Sequence, residues 1–463
     1  MTDYDLLITS ARISTLEART YDIGIRDGHI VSMVDAGSEL SDADQVIDAA
    51  GRWVIPGAID THSHIGQLAP EYADLPGFGS EDNYAYETRG AIAGGVTTAL
   101  NYVKFGQDSL LEAYHEGVSI ARRHSRMNIL YHGYVMNEAQ LAEIPAAVDA
   151  GIRTFKMFMP YRGAEATALG GIGSLSHAQM RLAFDAIAAH GCQALVHAED
   201  GDIVEYCMHQ EFSRGVPDLD SWERSRPVEA EGDASWTALY LAERSDCPVT
   251  IVHVSSPEAI RARRAAGYPR AALESCPHYA LLSTEAPIGA HGKVAPPLRA
   301  PELAAAISDA VMAGEIDFFG SDHNVWPAAA KTDLVDGRAG LPGIGLMLPL
   351  LLTHFVFERG MSMERAIELT STNAARRFGL PGKGWVGVGA DADLVVLQTG
   401  SRIVRAADLL SAVDYSPYEG FELQAWPYAT VCGGTVVYRN DAIVADDYRG
   451  TILNEPREAA VAQ

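Results

Sequence analysis

Eight short apolar runs, separated by Ala- and Leu-rich stretches with helical spacing, constrain this chain more than any other feature. They fall at Ile55 to Ile59, Val96 to Val103, Ile129 to Val135, Thr154 to Met159, Gln193 to Val196, Val249 to Val254, Ala271 to Ser275 and Ile316 to Gly320. Stretches such as SHAQMRLAFDAIAAH and PELAAAISDAVMAG lie between them and read as amphipathic helices. Eight strands alternating with helices predict an α/β fold, a (β/α)8 barrel over 55–384, consistent with the roughly 250 or more residues such barrels take. Their chemistry gathers at the C-terminal ends of the strands.

The flanks have another texture. DLLITSARIS, DIGIRDGHIVSMV and QVIDAAGRWVI alternate short apolar runs with turn residues, which predicts a small antiparallel sheet between Asp5 and Val54. The same texture returns in DADLVVL, ATVCGGTVVYRN and DAIVADD. One smaller β-sandwich-like domain formed by 1–54 and 385–450 is expected, with 451–463 as a loose tail. A chain of 463 residues suits one large domain and one small one.

The net charge of -26 is spread along the chain, as a solubilising surface requires, and argues against a nucleic-acid partner. MTDYDLLITSARIS lacks the basic start and apolar run of a signal peptide, and no stretch reaches membrane-spanning length without charge. A cytoplasmic protein with no membrane partner is expected. Cys192, Cys207, Cys247, Cys276 and Cys432 form no CxxC pair and are odd in number, which argues against a disulfide framework and a four-cysteine zinc site.

The histidines carry the chemistry. His62 and His64 follow the first run in IPGAIDTHSHIG, and residues two apart on an extended chain face the same way. A single metal could take both, although surface or core histidines give the same pattern. His197 ends the fifth strand, His253 the sixth, and Asp322 follows the eighth. Nitrogen and oxygen donors converging from four strand ends suit Zn2+ or a related divalent ion. Lys156, on the fourth strand, points a cation at that place. It is either paired with a buried carboxylate or neutral and carboxylated, an anion able to bridge two metals. Glu199 and Asp200 follow a candidate ligand and either orient it or lie on a loop surface. His278 and His323 read as structural, while His115, His132 and His190 match no motif.

VIPGAIDTHSHI, AGGVTT, FKMFMPY, LVHAEDGD, IVHVSS, ESCPHY, KVAPPLR, GSDH, STNAARRFGL and GADADLVV occur in order. From about Asp5 to about Tyr438 the chain resembles the cyclic amidohydrolase branch of the amidohydrolase superfamily: hydantoinases, dihydropyrimidinases and allantoinases. The resemblance implies two divalent metals, zinc first, with manganese or cobalt also accepted. His62, His64 and Asp322 would hold one and His197 and His253 the other, bridged by N6-carboxylated Lys156. A water shared between the metals would attack the carbonyl of a small cyclic amide. Asp322 would take the proton and pass it to the leaving nitrogen. Tyr161 stands where that pattern has an oxyanion-stabilising tyrosine, or else is a loop anchor. Ser275 and the ESCPHY turn would lie along the substrate. A homotetramer or homodimer is implied, and YSPYEGFELQAWPYATV resembles the part that packs against neighbours.

The sequence also departs from that pattern. No arginine stands soon after the first HxH, where the chain runs HSHIGQLAP, which argues against a carboxylated ring held as in dihydroorotases. Where hydantoinases tend to have Asn-Gly-x-Pro-Gly, this chain reads AGLPGIG, with Ala339 in place of the asparagine and Gly345 in place of a following glutamate. That change admits another lactam or a linear amide as substrate. A non-catalytic scaffold of the same fold is the remaining alternative, but such relatives lose metal ligands and all six candidates are present here.

Overall fold

A computed structural model describes the chain except for residues 1, 14–18, 39–41, 68–69, 107, 164–165, 167–172 and 456–463. The first strands are β1 (Tyr4–Arg12), β2 (Thr20–Arg26), β3 (His29–Asp35) and β4 (Ala43–Asp48), ordered β3-β2-β1-β4 in one sheet. The β1–β2 and β2–β3 pairs are antiparallel as expected, but β1 and β4 run parallel. Parallel pairing sets Ile47 opposite Ile8, and both are fully buried.

One strand was expected at Ile55 to Ile59; the chain makes two. β5 (Val54–Pro56) stays with the sandwich, and after Gly57 β6 (Ala58–Ser63) enters the barrel. Proline supplies no N–H to continue the ladder, so the change of sheet falls beside it. The remaining barrel strands are β7 (Val96–Tyr102), β8 (Asn128–Tyr134), β9 (Thr154–Phe158), β10 (Gln193–His197), β11 (Val249–Ile251), β12 (Ala271–Ser275) and β13 (Phe318–Phe319). They form one eight-stranded sheet in chain order. The last is shorter than the run Ile316 to Gly320 suggested.

The edges β6 and β13 meet at a seam. A parallel bridge joins Ser63 to His323, and His64 N donates to His323 O at 2.8 Å. Asp60 accepts from the Ser321 amide at 2.8 Å and from its hydroxyl. Gly320 is required here, since a Cβ on it would lie 2.5 Å from that of His62. Helices including His177–Ala189, Val228–Arg244 and Pro301–Met312 cover the outside, each burying a mainly apolar face, whereas Ser80–Ala93 also buries Asn83, Glu87 and Thr88.

After the barrel, β14 (Leu394–Ile403), β15 (Glu422–Cys432), β16 (Thr435–Arg439) and β17 (Ala442–Ile443) join β5 in a second sheet. Ile8, Ile23, Ile25 and Ile47 share a core with Ala392, Leu394, Val396 and Val431, so the two flanks build one sandwich. The segment between β14 and β15 leaves it: Val404 and Tyr418 pack with Leu282, Val294, Leu341 and Leu346 of the barrel region. Part of YSPYEGFELQAWPYATV is therefore buried within its own chain. No helix among the described residues is long and apolar enough to cross a membrane. All five cysteines are free, and Cys207 is partly exposed.

The loose tail expected from residue 451 is corrected in its first residues. Thr451 O accepts from Ile129 N at 2.9 Å, and Leu453 N donates to Ile129 O at 2.7 Å. Asn454 accepts from Tyr131 N at 2.5 Å and donates to Tyr131 O at 3.1 Å. These bonds satisfy backbone groups of β8 that would otherwise be buried unpaired; residues 456–463 lie outside the described ones. Asn454→Ala is expected to lower stability by about 1–3 kcal/mol, read as a fall in the denaturation midpoint; an unchanged midpoint would show the contact to be idle.

Candidate metal centre

His62 and His64 leave β6 at the barrel mouth with one nitrogen of each ring braced from behind. His62 Nδ1 lies 2.7 Å from Glu274 Oε1, and His64 Nδ1 lies 3.2 Å from the Tyr134 hydroxyl. Their Nε2 atoms turn to the same oxygen, Asp322 Oδ1, at 3.3 and 3.2 Å. A donor atom from each of the three falls within 4.8 Å of the others. Asp322 holds a positive φ of 50° and His253 one of 41°. Non-glycine residues pay strain there, and such strain persists where the surroundings over-determine the geometry.

The second group adjoins the first. The rings of His62 and His253 are 5.2 Å apart, and those of His253 and His197 4.4 Å. His253 stands two residues beyond the paired end of β11, not on it. His197 Nε2 is bound to Glu199 Oε2 at 2.6 Å, which leaves Nδ1 as its free donor. Lys156 is 1% exposed, with Nζ 3.4 Å from His253 Nε2. Among the described residues no carboxylate forms an ion pair with it.

Electrostatics suit metal capture. Burial pushes His62 and His253 well below the usual imidazole range, with the Lys156 charge adding to it. Burial also lowers His197, against the pull of Glu199. Neutral rings keep the lone pair that a metal needs. Burial lowers Lys156 to about 7 despite Asp322 and Glu274. It raises Glu274 to about 8, while for Glu199 the charges of Arg226 and His197 outweigh burial and hold it at about 2. The donor set, imidazoles and a carboxylate beside a lysine whose charged form burial disfavours, fits divalent ions.

The profile of the Amidohydrolase family matches residues 53–437. This chain belongs to the amidohydrolase family. It is 30% identical to a D-hydantoinase of Ralstonia pickettii, over 97% of this chain and 98% of that one. An allantoinase of Rubrobacter xylanophilus is also 30% identical, over 96% of each. The structure of an L-hydantoinase (dihydropyrimidinase) from Arthrobacter aurescens superposes with a TM-score of 0.89 at 29% identity, covering 97% and 99%. The cyclic branch indicated by the motifs is thereby borne out, as is the barrel with its sandwich.

The other expected residues of this amidohydrolase divide. Tyr161 reaches the mouth, its ring 5.7 Å from that of His197, with its backbone tied to Ser174. Ser275 serves the wall: its hydroxyl donates to Val254 O at 2.7 Å and its carbonyl accepts from Gly320 N at 3.0 Å. Ala339 offers a carbonyl to Trp326 Nε1 at 3.0 Å. Gly345 has no room for a side chain, since its Cβ would lie 2.8 Å from Gly90 O. Glu199 braces His197, whereas Asp200 caps the helix Gly201–Phe212. His323 is structural, its Nδ1 accepting from Gly343 N and Ile344 N and its Nε2 3.1 Å from Glu87. His132 is bound to Thr154 inside the barrel.

Glu274, Tyr134 and Tyr102 were missed. Glu274 holds His62, Thr61 at 2.6 Å and the His253 amide at 3.3 Å. Tyr102 stacks on His64 at 5.0 Å. Their signal was position alone, as polar or aromatic residues at strand ends. Glu274→Ala is expected to weaken metal retention about 10–100-fold in a chelator competition; wild-type retention would leave Glu274 a packing residue.

Proposed function

We propose that this chain opens a cyclic amide, a hydantoin, dihydropyrimidine or allantoin-like ring, by hydrolysis at two divalent metals. The observation that carries the proposal is the convergence of four imidazoles, Asp322 and a buried lysine at one barrel mouth. The names of the relatives, hydantoinase and allantoinase, support the ring. His62, His64 and Asp322 would hold one metal, His197 and His253 the other, and Lys156, carboxylated, would join them. Zinc suits the donors best, with manganese and cobalt next. The metals, when bound, would acidify a water enough to make it a nucleophile at neutral pH.

The chain's own residues supply the rest. Asp322 accepts the proton of the attacking water and delivers it to the ring nitrogen, a poor leaving group until protonated. Tyr161 donates its phenol to the carbonyl oxygen as charge develops there. Ring recognition at Ala339 is left to backbone groups, since the side chain has no polar atom. That absence favours a second reading, in which another lactam or a linear amide is the substrate. Five free cysteines suit a cytoplasmic protein. Exposed Leu182, Trp236 and Tyr240 on the helices His177–Ala189 and Val228–Arg244 support a homo-oligomer.

Metal analysis with a ring-opening screen tests the function. Two metals per chain and turnover of hydantoin, dihydrouracil or allantoin are expected; two metals with none turned over would favour the second reading. Asp322→Asn is expected to leave the fold in place and cost kcat about 10²–10⁴-fold; an unchanged kcat would remove Asp322 from proton transfer. A carbamate forms only on neutral amine, so at fixed dissolved CO2 the rate of zinc uptake by apo-protein should fall about tenfold per pH unit below about 7 and level off above it. Uptake indifferent to both pH and CO2 would count against carboxylation.

A further inference from the structure

We infer that Arg226 is a positioning residue for the second metal's imidazoles, acting on His197 through Glu199. The inference rests on the binuclear reading proposed above. Arg226 follows the helix Leu219–Ser225 and its side chain is 0% exposed, as is that of Glu199. The guanidinium grips the carboxylate at two points, Nε 3.0 Å from Oε1 and NH2 2.8 Å from Oε2. Oε2 is the same atom that takes His197 Nε2 at 2.6 Å. A planar fork fixes the plane of the carboxylate it grips. It therefore fixes the direction from which the imidazole must approach, and with it where the Nδ1 lone pair points.

The framework continues to the other imidazole. Arg226 O accepts from Arg299 NH1 at 2.6 Å, and Arg299 NH2 lies 3.2 Å from Glu231 Oε2. Arg299 Nε donates to Ser255 Oγ at 3.0 Å, while Glu231 accepts from Ser255 N at 2.8 Å and Ser255 Oγ at 2.6 Å. Ser255 is two residues past His253, in the loop that carries it. Arg299 and Glu231 are buried too. Two ion pairs removed from water gain little over apolar packing of equal volume, so stability is a weak reason for them. Holding two loop-borne rings at one separation is a better reason. His62 and His64 are braced instead by Glu274 and Tyr134, outside this framework. Loss of Arg226 should therefore fall on one metal of the two.

The test is a Co2+ titration of apo-protein, followed by visible absorption and metal analysis. Wild type is expected to bind two ions. Arg226→Met should keep one site and weaken the other about tenfold or more. Because that variant leaves Glu199 buried without its cation, the double variant Glu199→Met with Arg226→Met, apolar at both positions, guards against simple misfolding. It is expected to fold and to keep the one-site defect. Arg226→Lys, with charge but no fork, should fall between. A double variant that binds both ions like wild type, or variants that weaken both sites equally, would overturn the positioning role. Wild type holding a single ion would instead overturn the binuclear reading.

Discussion

The architecture hinges on one buried carboxylate at the place where the barrel closes. Asp60 accepts from the amide and hydroxyl of Ser321 and from the amide of His62, and so ties the first strand to the segment after the last. Burial lifts it to about 6 even against these donors. Hydrogen bonds to charged groups contribute about 1.5–3 kcal/mol each, and here they replace a strand ladder that β13 is too short to supply. His62, His64 and Asp322 all emerge beside this seam. Closing the barrel and bringing His62, His64 and Asp322 together are thus the same event.

From the seam outward, a common device recurs. Each imidazole of known partner gives one nitrogen to the wall and the other to the mouth: His62 to Glu274, His64 to Tyr134, His197 to Glu199. Glu274 touches both histidine groups, through the His62 ring and the His253 amide. Burial disfavours the charged form of His62 and His197, and all three rings are oriented because the wall holds them. Both conditions are met before any ion enters.

Much of this was legible. Buried strands announce themselves by length and composition, and each of the eight runs overlaps a barrel strand, the first only at Ala58 and Ile59 of β6. The six candidate donors could be picked out because they lie on barrel strands or just past them, where position implies direction. What stayed hidden was whatever depends on a partner distant in the chain. Glu274 was passed over for its neighbour Ser275, since alternation on one strand does not say which of the two faces a histidine from β6. Arg226 lies twenty-seven residues from Glu199, and nothing local marks the pair. The split at Gly57 and the pairing of Thr451 to Asn454 with β8 need the fold itself: each is a choice between sheets that the segment cannot make alone. Gly345 reads as a departure in sequence and becomes a packing requirement once Gly90 is seen against it.

The order in which the parts can form follows from where the sandwich strands lie. Ile8 and Ile47 find Leu394 and Val431 only after the whole barrel region has been made, and β8 waits longer still for Asn454. Contacts of such long sequence separation are slow to close and leave sheet edges exposed meanwhile. During synthesis the N-terminal sheet must therefore persist half-covered, its isoleucine face open to chaperones or to other nascent chains. Expression yield for this protein should be governed by that interval more than by the stability of the finished fold.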